Sequence, residues 1–344
     1  MITNRERFIA TIERKPVDHP ASWLGMPTHE ALPGLFAYFG VADTFELKRK
    51  IADDLFVVDI PYLSPVSTHV AFAFDFGKEG PKENTERTLT TPGWFADKED
   101  PKDVDAFSWP DPKEHIDRAA IKTAIASIPK DSAQMVAAWS IHYEATCAAF
   151  GMEQALVAML TNTGLFSAVM RRITDFFLEA NEIFYSTAGD SLDAVLIGND
   201  LGTQRGLLLS PEHIRRFVLP GTKELVDQAH SYGLKVVHHS CGSIDAIIPE
   251  LIEVGVDAIH PIQALAAGME ARSLRDRFGD KVSFCGGVDA QQLLVNGNPA
   301  DVRKKVLDLR AVFPSGLVLS PSHEAILKDI RPENIKALFE AVRE

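Results

Sequence analysis

Hydrophobic positions fall into two recurring patterns along this chain. Short apolar runs of strand length alternate with stretches in which apolar residues return every three or four positions, the spacing of a helix that buries one face. The runs are 21–26 (ASWLGM), 55–61 (LFVVDIP), 134–140 (QMVAAWS), 192–200 (LDAVLIGND), 234–241 (LKVVHHSC), 257–262 (DAIHPI), 281–289 (KVSFCGGVD) and 316–323 (GLVLSPSH). Helical stretches follow most of them, among them 116–128, 243–255, 268–279, 299–313 and 331–344. A charged amphipathic helix opens the chain and ends before Pro16 and Pro20, and Ser210-Pro211-Glu212 offers an N-cap serine with proline in the first turn. Eight strands separated by short polar turns predict a single closed (β/α)8 barrel over 1–344 rather than a doubly wound open sheet. Residues 77–115 break the pattern, being polar, acidic and proline-rich. They predict a surface insertion, with a hairpin over 82–91 (KENTERTLTT) and irregular chain over 100–112.

Composition sharpens this only by exclusion. With 46% hydrophobic residues in 344, the chain can bury a large core. Its net charge of −13 offers no electrostatic footprint for nucleic acid or an anionic membrane. No apolar run reaches the length of a membrane span, and the opening residues do not read as a signal peptide, so a cytoplasmic protein is expected. Three cysteines, Cys147, Cys241 and Cys285, are too few and too odd for a disulfide framework, and read as buried thiols or ligands.

Candidate chemistry gathers at strand ends: Asp59, His142 to Glu144, Asn199, Asp200, His239, Cys241, His260, Cys285, His323 and Glu324. In a barrel these positions line one mouth, where residues distant in sequence meet. The sharpest is 234–242, an apolar strand ending in His, Cys and Gly. Side chains repeat every two residues on a strand, so His239 and Cys241 share one face while His238 and Ser240 take the other. Two such donors suit a metal; the competing reading is a buried histidine bonded to backbone. Across the predicted mouth His323 completes a His, Cys, His set with the composition of a catalytic zinc site, and Cys285 and Cys147 stand behind it as further donors or as core thiols. Asp59 and Asp200 fit either turn aspartates or carboxylates that orient substrate or take a proton. Glu144 opens the third helix on the same side as Cys147. Gly286 and Gly287 either let backbone approach a ligand or make a tight turn.

Several longer segments add a resemblance. Residues 5–20 (RERFIATIERKPVDHP), 199–220 (NDLGTQRGLLLSPEHIRRFVLP), 229–263 (AHSYGLKVVHHSCG through IHPIQ), 284–294 (FCGGVDAQQLL) and 319–335 (LSPSHEAILKDIRPENI) together resemble the uroporphyrinogen decarboxylase superfamily. That superfamily holds a cofactor-free decarboxylase and cobalamin-linked zinc methyltransferases. The decarboxylase branch implies catalytic roles for Asp59, Tyr143 and His323, and arginines after the first strand to grip substrate carboxylates. Those arginines are missing: no Arg or Lys occurs from Pro16 to Leu47. A polycarboxylate substrate needs fixed cations, because buried unpaired carboxylates are costly.

The methyltransferase branch implies zinc on His239 and Cys241 with a third ligand at strand eight, usually cysteine and here His323. An imidazole in place of a thiolate leaves one net positive charge on the centre, a stronger Lewis acid. The resemblance thus implies a zinc-dependent methyltransferase that moves a methyl group between a small donor or thiol and a corrinoid carried by a partner protein. On this reading Glu144 joins the catalytic group, and Met26, Asn199, Asp200, Gln263 and Gly286 face the substrate. A homodimer is allowed for. The alternatives are a metal-free decarboxylase of a tetrapyrrole or smaller substrate and a binding protein that keeps only the ligand mouth.

Overall fold

The computed structural model describes residues 2–77 and 88–344. Among the described residues nine strands form in chain order: β1 (Met26–Pro27), β2 (Leu55–Asp59), β3 (Ala133–Trp139), β4 (Ala194–Gly198), β5 (Lys235–His239), β6 (Ala258–Ile262), β7 (Ser283–Val288), β8 (Leu317–Pro321) and β9 (Ala325–Ile326). β2 to β8 make one seven-stranded sheet in sequence order, every neighbouring pair parallel, with helices in the crossovers. The sheet curls, because its first and last strands both bond to residues 21–24. The Leu319 N–H donates to the Ala21 carbonyl at 2.8 Å, Trp23 donates to Leu319 at 3.0 Å, and Asp54 donates to Ser22 at 3.3 Å. This is an α/β architecture consistent with a TIM-type fold.

Residues 21–26, expected as a full strand, form a single bridge between Ser22 and Leu319 and then pair as β1 with β9. Side chains explain the difference. Asp54 Oδ2 accepts from the Ser22 N–H at 2.8 Å and hydroxyl at 2.9 Å, and Asp53 Oδ2 accepts from the Leu24 N–H at 3.1 Å. Carboxylates thus take amides that a ladder would otherwise use. Both acids are buried and paired, Asp54 with Arg7 at 2.7 Å and Asp53 with Lys48 at 2.6 Å.

Strand periodicity sorts the interior. Leu55, Met135, Leu196, Val237, Ala258 and Val318 point inward onto Phe8 and Ile12 of the opening helix (Asn4–Ile12), which plugs one end of the sheet. Thr3 starts that helix with a capping box to Glu6. Two residues beyond Val237 on the same face comes His239, so an apolar floor carries a polar layer at the opposite, C-terminal end of the strands.

The stretch expected as surface insertion is partly core. Phe95 and Phe107 are buried and pack with Phe76 and Trp109, burying apolar area against Phe74, Phe150 and Phe176. Most of the hairpin expected over 82–91 lies outside the described residues; Thr88 and Thr91 make a turn. Among the described residues no helix is long and apolar enough to cross a membrane.

Candidate active site

At the end of β3, Trp139 and Ser140 both adopt left-handed backbone, with φ of 59° and 51°. Such conformations are uncommon outside glycine and cost energy that surrounding structure must hold in place. They turn the chain sharply into the helix His142–Phe150, and Asn199 from the end of β4 caps it by accepting from the Tyr143 N–H at 2.8 Å. Glu144 falls in the first turn, where the helix dipole favours a carboxylate. Its Oε1 accepts from the Asp200 N–H, while Oε2 is buried with no hydrogen-bond partner among the described residues. Burial pushes the Glu144 carboxyl up to about 8, against that hydrogen bond.

β4 ends flat against β5 because residue 198 is glycine: a Cβ there would lie 2.1 Å from the His239 carbonyl oxygen. Beyond it Asp200 Oδ1 accepts from the Cys241 N–H at 2.9 Å and sits 3.4 Å from His239 Nε2. Cys241 Sγ is also 3.4 Å from that nitrogen. The other ring nitrogen of His239 turns inward, 3.0 Å from His260 Nδ1 and 3.4 Å from Glu324 Oε2. The ring centre of His323 is 6.3 Å from that of His239, and its Nδ1 accepts from the Ala325 N–H at 3.0 Å. Gln263 Oε1 accepts from the Gly242 N–H at 2.6 Å, bracing the turn that carries Cys241.

Electrostatics couple these groups. Burial alone would lower His239, but the charges of Glu324 and Cys241 and the bond to Asp200 raise it well above its ordinary value. Burial works against ionised Asp200 too, yet His239 and the Cys241 N–H hold it at about 2. The Cys241 thiol, which burial would push up, is lowered by hydrogen bonds from His239 and His323. Burial and the charge on His239 keep His260 well below the usual range, hence neutral.

Among the described residues, two sets of donor atoms lie within 4.8 Å of one another: Asp200, His239 and Cys241, and His239, His260 and Glu324. Of the expected ligands, His239 and Cys241 meet. His323 falls outside both sets, and Asp200, expected to face substrate, takes the third place. Cys147 and Cys285 are far from this role. Cys147 meets the Tyr143 hydroxyl and Cys285 meets Ser320 at 3.4 Å, and burial pushes both thiols up to about 12.

A cleft of about 510 Å³ opens over the polar layer, lined by Met26, Trp139, Ile141, Glu144, Asn199, Asp200, His239 and Glu324 with His69, Phe72 and Leu89 at its outer side. A smaller cleft of about 320 Å³ adjoins it through Phe72, Leu89, Ile141 and Glu144. Asp59, Cys241 and His323, expected on the same wall, do not line it. Asp59 is exposed beside His69, whose Nε2 lies 4.0 Å from its carboxylate. Tyr143 is fully buried and faces Cys147. Gly286 packs against β6, where a Cβ would lie 2.7 Å from the Ile262 nitrogen. Gln263 is buried behind the turn. His69, Phe72 and Trp139 were not foreseen: they enter through a loop and a strained turn that leave no periodic signal.

Residues 95–344 match the sequence profile described as uroporphyrinogen decarboxylase (URO-D). The chain belongs to the uroporphyrinogen decarboxylase family. Among solved structures this URO-D protein is similar to a methyltransferase from Methanosarcina mazei, with a TM-score of 0.69 and 18% identity over 99% of this chain and 98% of that one. At that identity the likeness concerns the fold. No curated protein sequence matches the chain.

Proposed function

We propose that this URO-D protein is a zinc-dependent methyltransferase that exchanges a methyl group between a small donor or thiol and a corrinoid carried by a partner protein in the cytoplasm. The observation that supports it is the donor set: a thiol lowered by two histidines, an imidazole nitrogen 3.4 Å from it, and a carboxylate at the same distance from that nitrogen. Nitrogen, sulfur and oxygen donors of this kind suit zinc. The inward nitrogen of His239 faces Glu324, and a histidine whose second nitrogen is held by a carboxylate is the usual support for a metal ligand. His239 and Cys241 would hold the ion, with Asp200 or His323 as third donor. Zinc would supply Lewis acidity toward a methyl donor or an incoming thiol.

The chain's own residues do the rest. Trp139, Ile141 and Met26 exclude water from the reacting carbon, and Glu144, uncharged at neutral pH by burial, holds a proton at Oε2 for a departing group. In the same proposal, residues 1–344 form one closed eightfold barrel whose eighth place is filled by 21–26, with 77–115 inserted after β2. The bonds of 21–24 to both edge strands support it.

Elemental analysis of protein purified without chelators tests the metal. One zinc per chain is expected, much reduced in Cys241→Ser and His239→Ala, and no zinc even after incubation with the ion refutes the proposal. Comparing Asp200→Ala with His323→Ala identifies the third donor. Decarboxylation of uroporphyrinogen is the competing activity. The described lining of the cleft contains no Lys or Arg, so turnover of so anionic a substrate is not expected.

A further inference from the structure

Helix geometry opens a second space beside the main cleft. Ile141, Glu144, Ala145 and Ala148 are spaced three and four apart, so they share one face of the helix His142–Phe150 and its cap. Where that face carries alanines it leaves room, and the adjoining cleft of about 320 Å³ forms there. Val66, Phe72, Phe74, Phe76, Leu89 and Ile141 make its apolar walls, and its polar lining besides Glu144 is Asp75 and Thr88, both exposed. Phe72, Leu89, Ile141 and Glu144 line both spaces, so the two form one site with a polar end at His239 and an apolar end. The apolar end is uncovered: Val66, Phe72 and Leu89 are 51%, 66% and 53% exposed. Apolar surface gathered in a groove and left facing water marks a place where an apolar group binds. Glu144 stands at the junction, with Oε2 buried and without a hydrogen-bond partner among the described residues. A buried polar oxygen left in this way normally has its partner supplied by a ligand or water.

We propose that the joined site holds an aryl methyl ether, with the ring in the apolar end, the ether oxygen at Glu144 Oε2 and the methyl group toward His239. This rests on the methyltransferase reading and names the substrate class for that site. An apolar cavity of roughly 150 Å³ already accepts a benzene ring, so the apolar end, at about 320 Å³, takes a ring with substituents. Phe72, Phe74 and Phe76 line that end, and aromatic groups pair favourably beyond the area they bury. In the reaction the bond between the methyl carbon and the ether oxygen breaks. The methyl group is taken up by an electron pair of the reduced corrinoid on the partner protein, which is thereby oxidised by two electrons. The oxygen keeps the pair of the broken bond and takes the proton held by Glu144, so a phenol departs and solvent restores the proton.

The test is calorimetric titration of the purified full chain with phenol, toluene and methanol. Phenol carries the ring and the oxygen, toluene puts a methyl group where the hydroxyl was, and methanol lacks the ring. A hydroxyl both donates and accepts, so phenol satisfies Glu144 Oε2 with or without its proton. Burial of roughly 100 Å² of ring surface predicts that phenol binds about a hundredfold tighter than methanol. The hydrogen bond predicts binding roughly threefold to tenfold tighter than toluene. Anisole should displace phenol. Ala148→Leu, which fills the apolar end, and Phe72→Ala, at an exposed position, should each weaken phenol by about threefold or more. Phe72→Ala serves if the helix does not tolerate Ala148→Leu. Phenol no tighter than methanol, toluene as tight as phenol, anisole that does not compete, or phenol affinity unchanged in Phe72→Ala overturns the proposal. Repeating the titration on chelator-treated protein, beside the zinc content of untreated protein, separates the two readings. Ring binding without zinc leaves this inference standing while the metal reading fails, and full zinc content without ring binding does the reverse.

Discussion

Replacing Glu324 by glutamine removes one charge from the site while leaving every donor atom of the zinc proposal in place. Glu324 Oε2 lies 3.4 Å from His239 Nδ1, and its side chain is 12% exposed, so water screens the pair weakly. A carboxylate here fixes the proton on Nδ1, which leaves Nε2 free toward Cys241 and Asp200 and raises its basicity. Glutamine can still accept the hydrogen bond but lacks the charge. His260 Nδ1, 3.0 Å from the same nitrogen and itself neutral, can take over as acceptor. The expected loss is therefore nearer the lower end of the range for such supporting groups, about tenfold in zinc affinity, or about 1.4 kcal/mol. Competition with a chromogenic chelator measures it. Paired loss in Glu324→Gln with His260→Ala should exceed tenfold, because only the uncharged glutamine then remains as acceptor. Zinc affinity unchanged in Glu324→Gln would refute the account of His239 orientation, whatever the activity.

Thiol labelling gives a second check: in metal-free protein Cys241 should react with a neutral alkylating agent far faster than the buried, raised Cys147 and Cys285, and added zinc should protect it. Three thiols labelled at one rate in folded protein would contradict the burial described. Gly198→Ala places a Cβ against the His239 carbonyl, so stability should fall by roughly 1–3 kcal/mol in denaturant titration and zinc content with it. Asp18, held well below the usual carboxylate range by Arg7, contributes stability that is present above about pH 4 and lost as pH falls through its lowered value. In Asp18→Asn the acid limb of the stability profile should be flatter, and an identical limb would show that the pair is inert.

How much of this the sequence carried follows from which interactions are local. β2 to β8 were readable because each is a continuous apolar run bounded by turn residues. The shared face of His239 and Cys241 was readable because strand alternation is fixed by geometry. Partner choice was not: Asp200 reaches His239 because Gly198 lets β4 lie flush on β5, a register effect invisible within either segment. Tyr143 looks like a cleft residue by position yet turns to Cys147, and Asn199, which does line the cleft, commits its amide oxygen to the Tyr143 backbone. The buried aromatics of 95–109 were hidden because single rings spaced among prolines and acids make no period. Residues 21–24 misled in the other direction, since their apolar pattern is that of a strand while Asp53 and Asp54 satisfy their amides.

That last arrangement has a mechanical side. Neighbouring strands elsewhere in the sheet are laced by backbone to backbone, whereas the join between 21–24 and β2 is a clasp of two aspartate side chains and one 3.3 Å backbone bond. Side chains can rotate away without unlacing a ladder, so this join is held less firmly than the ladders between the strands of the curled sheet. Immediately past the clasp, Met26 hangs from the Glu324 carbonyl at 2.6 Å and forms a wall of the cleft. A shift at the clasp would therefore be felt at a wall of the cleft only two residues away.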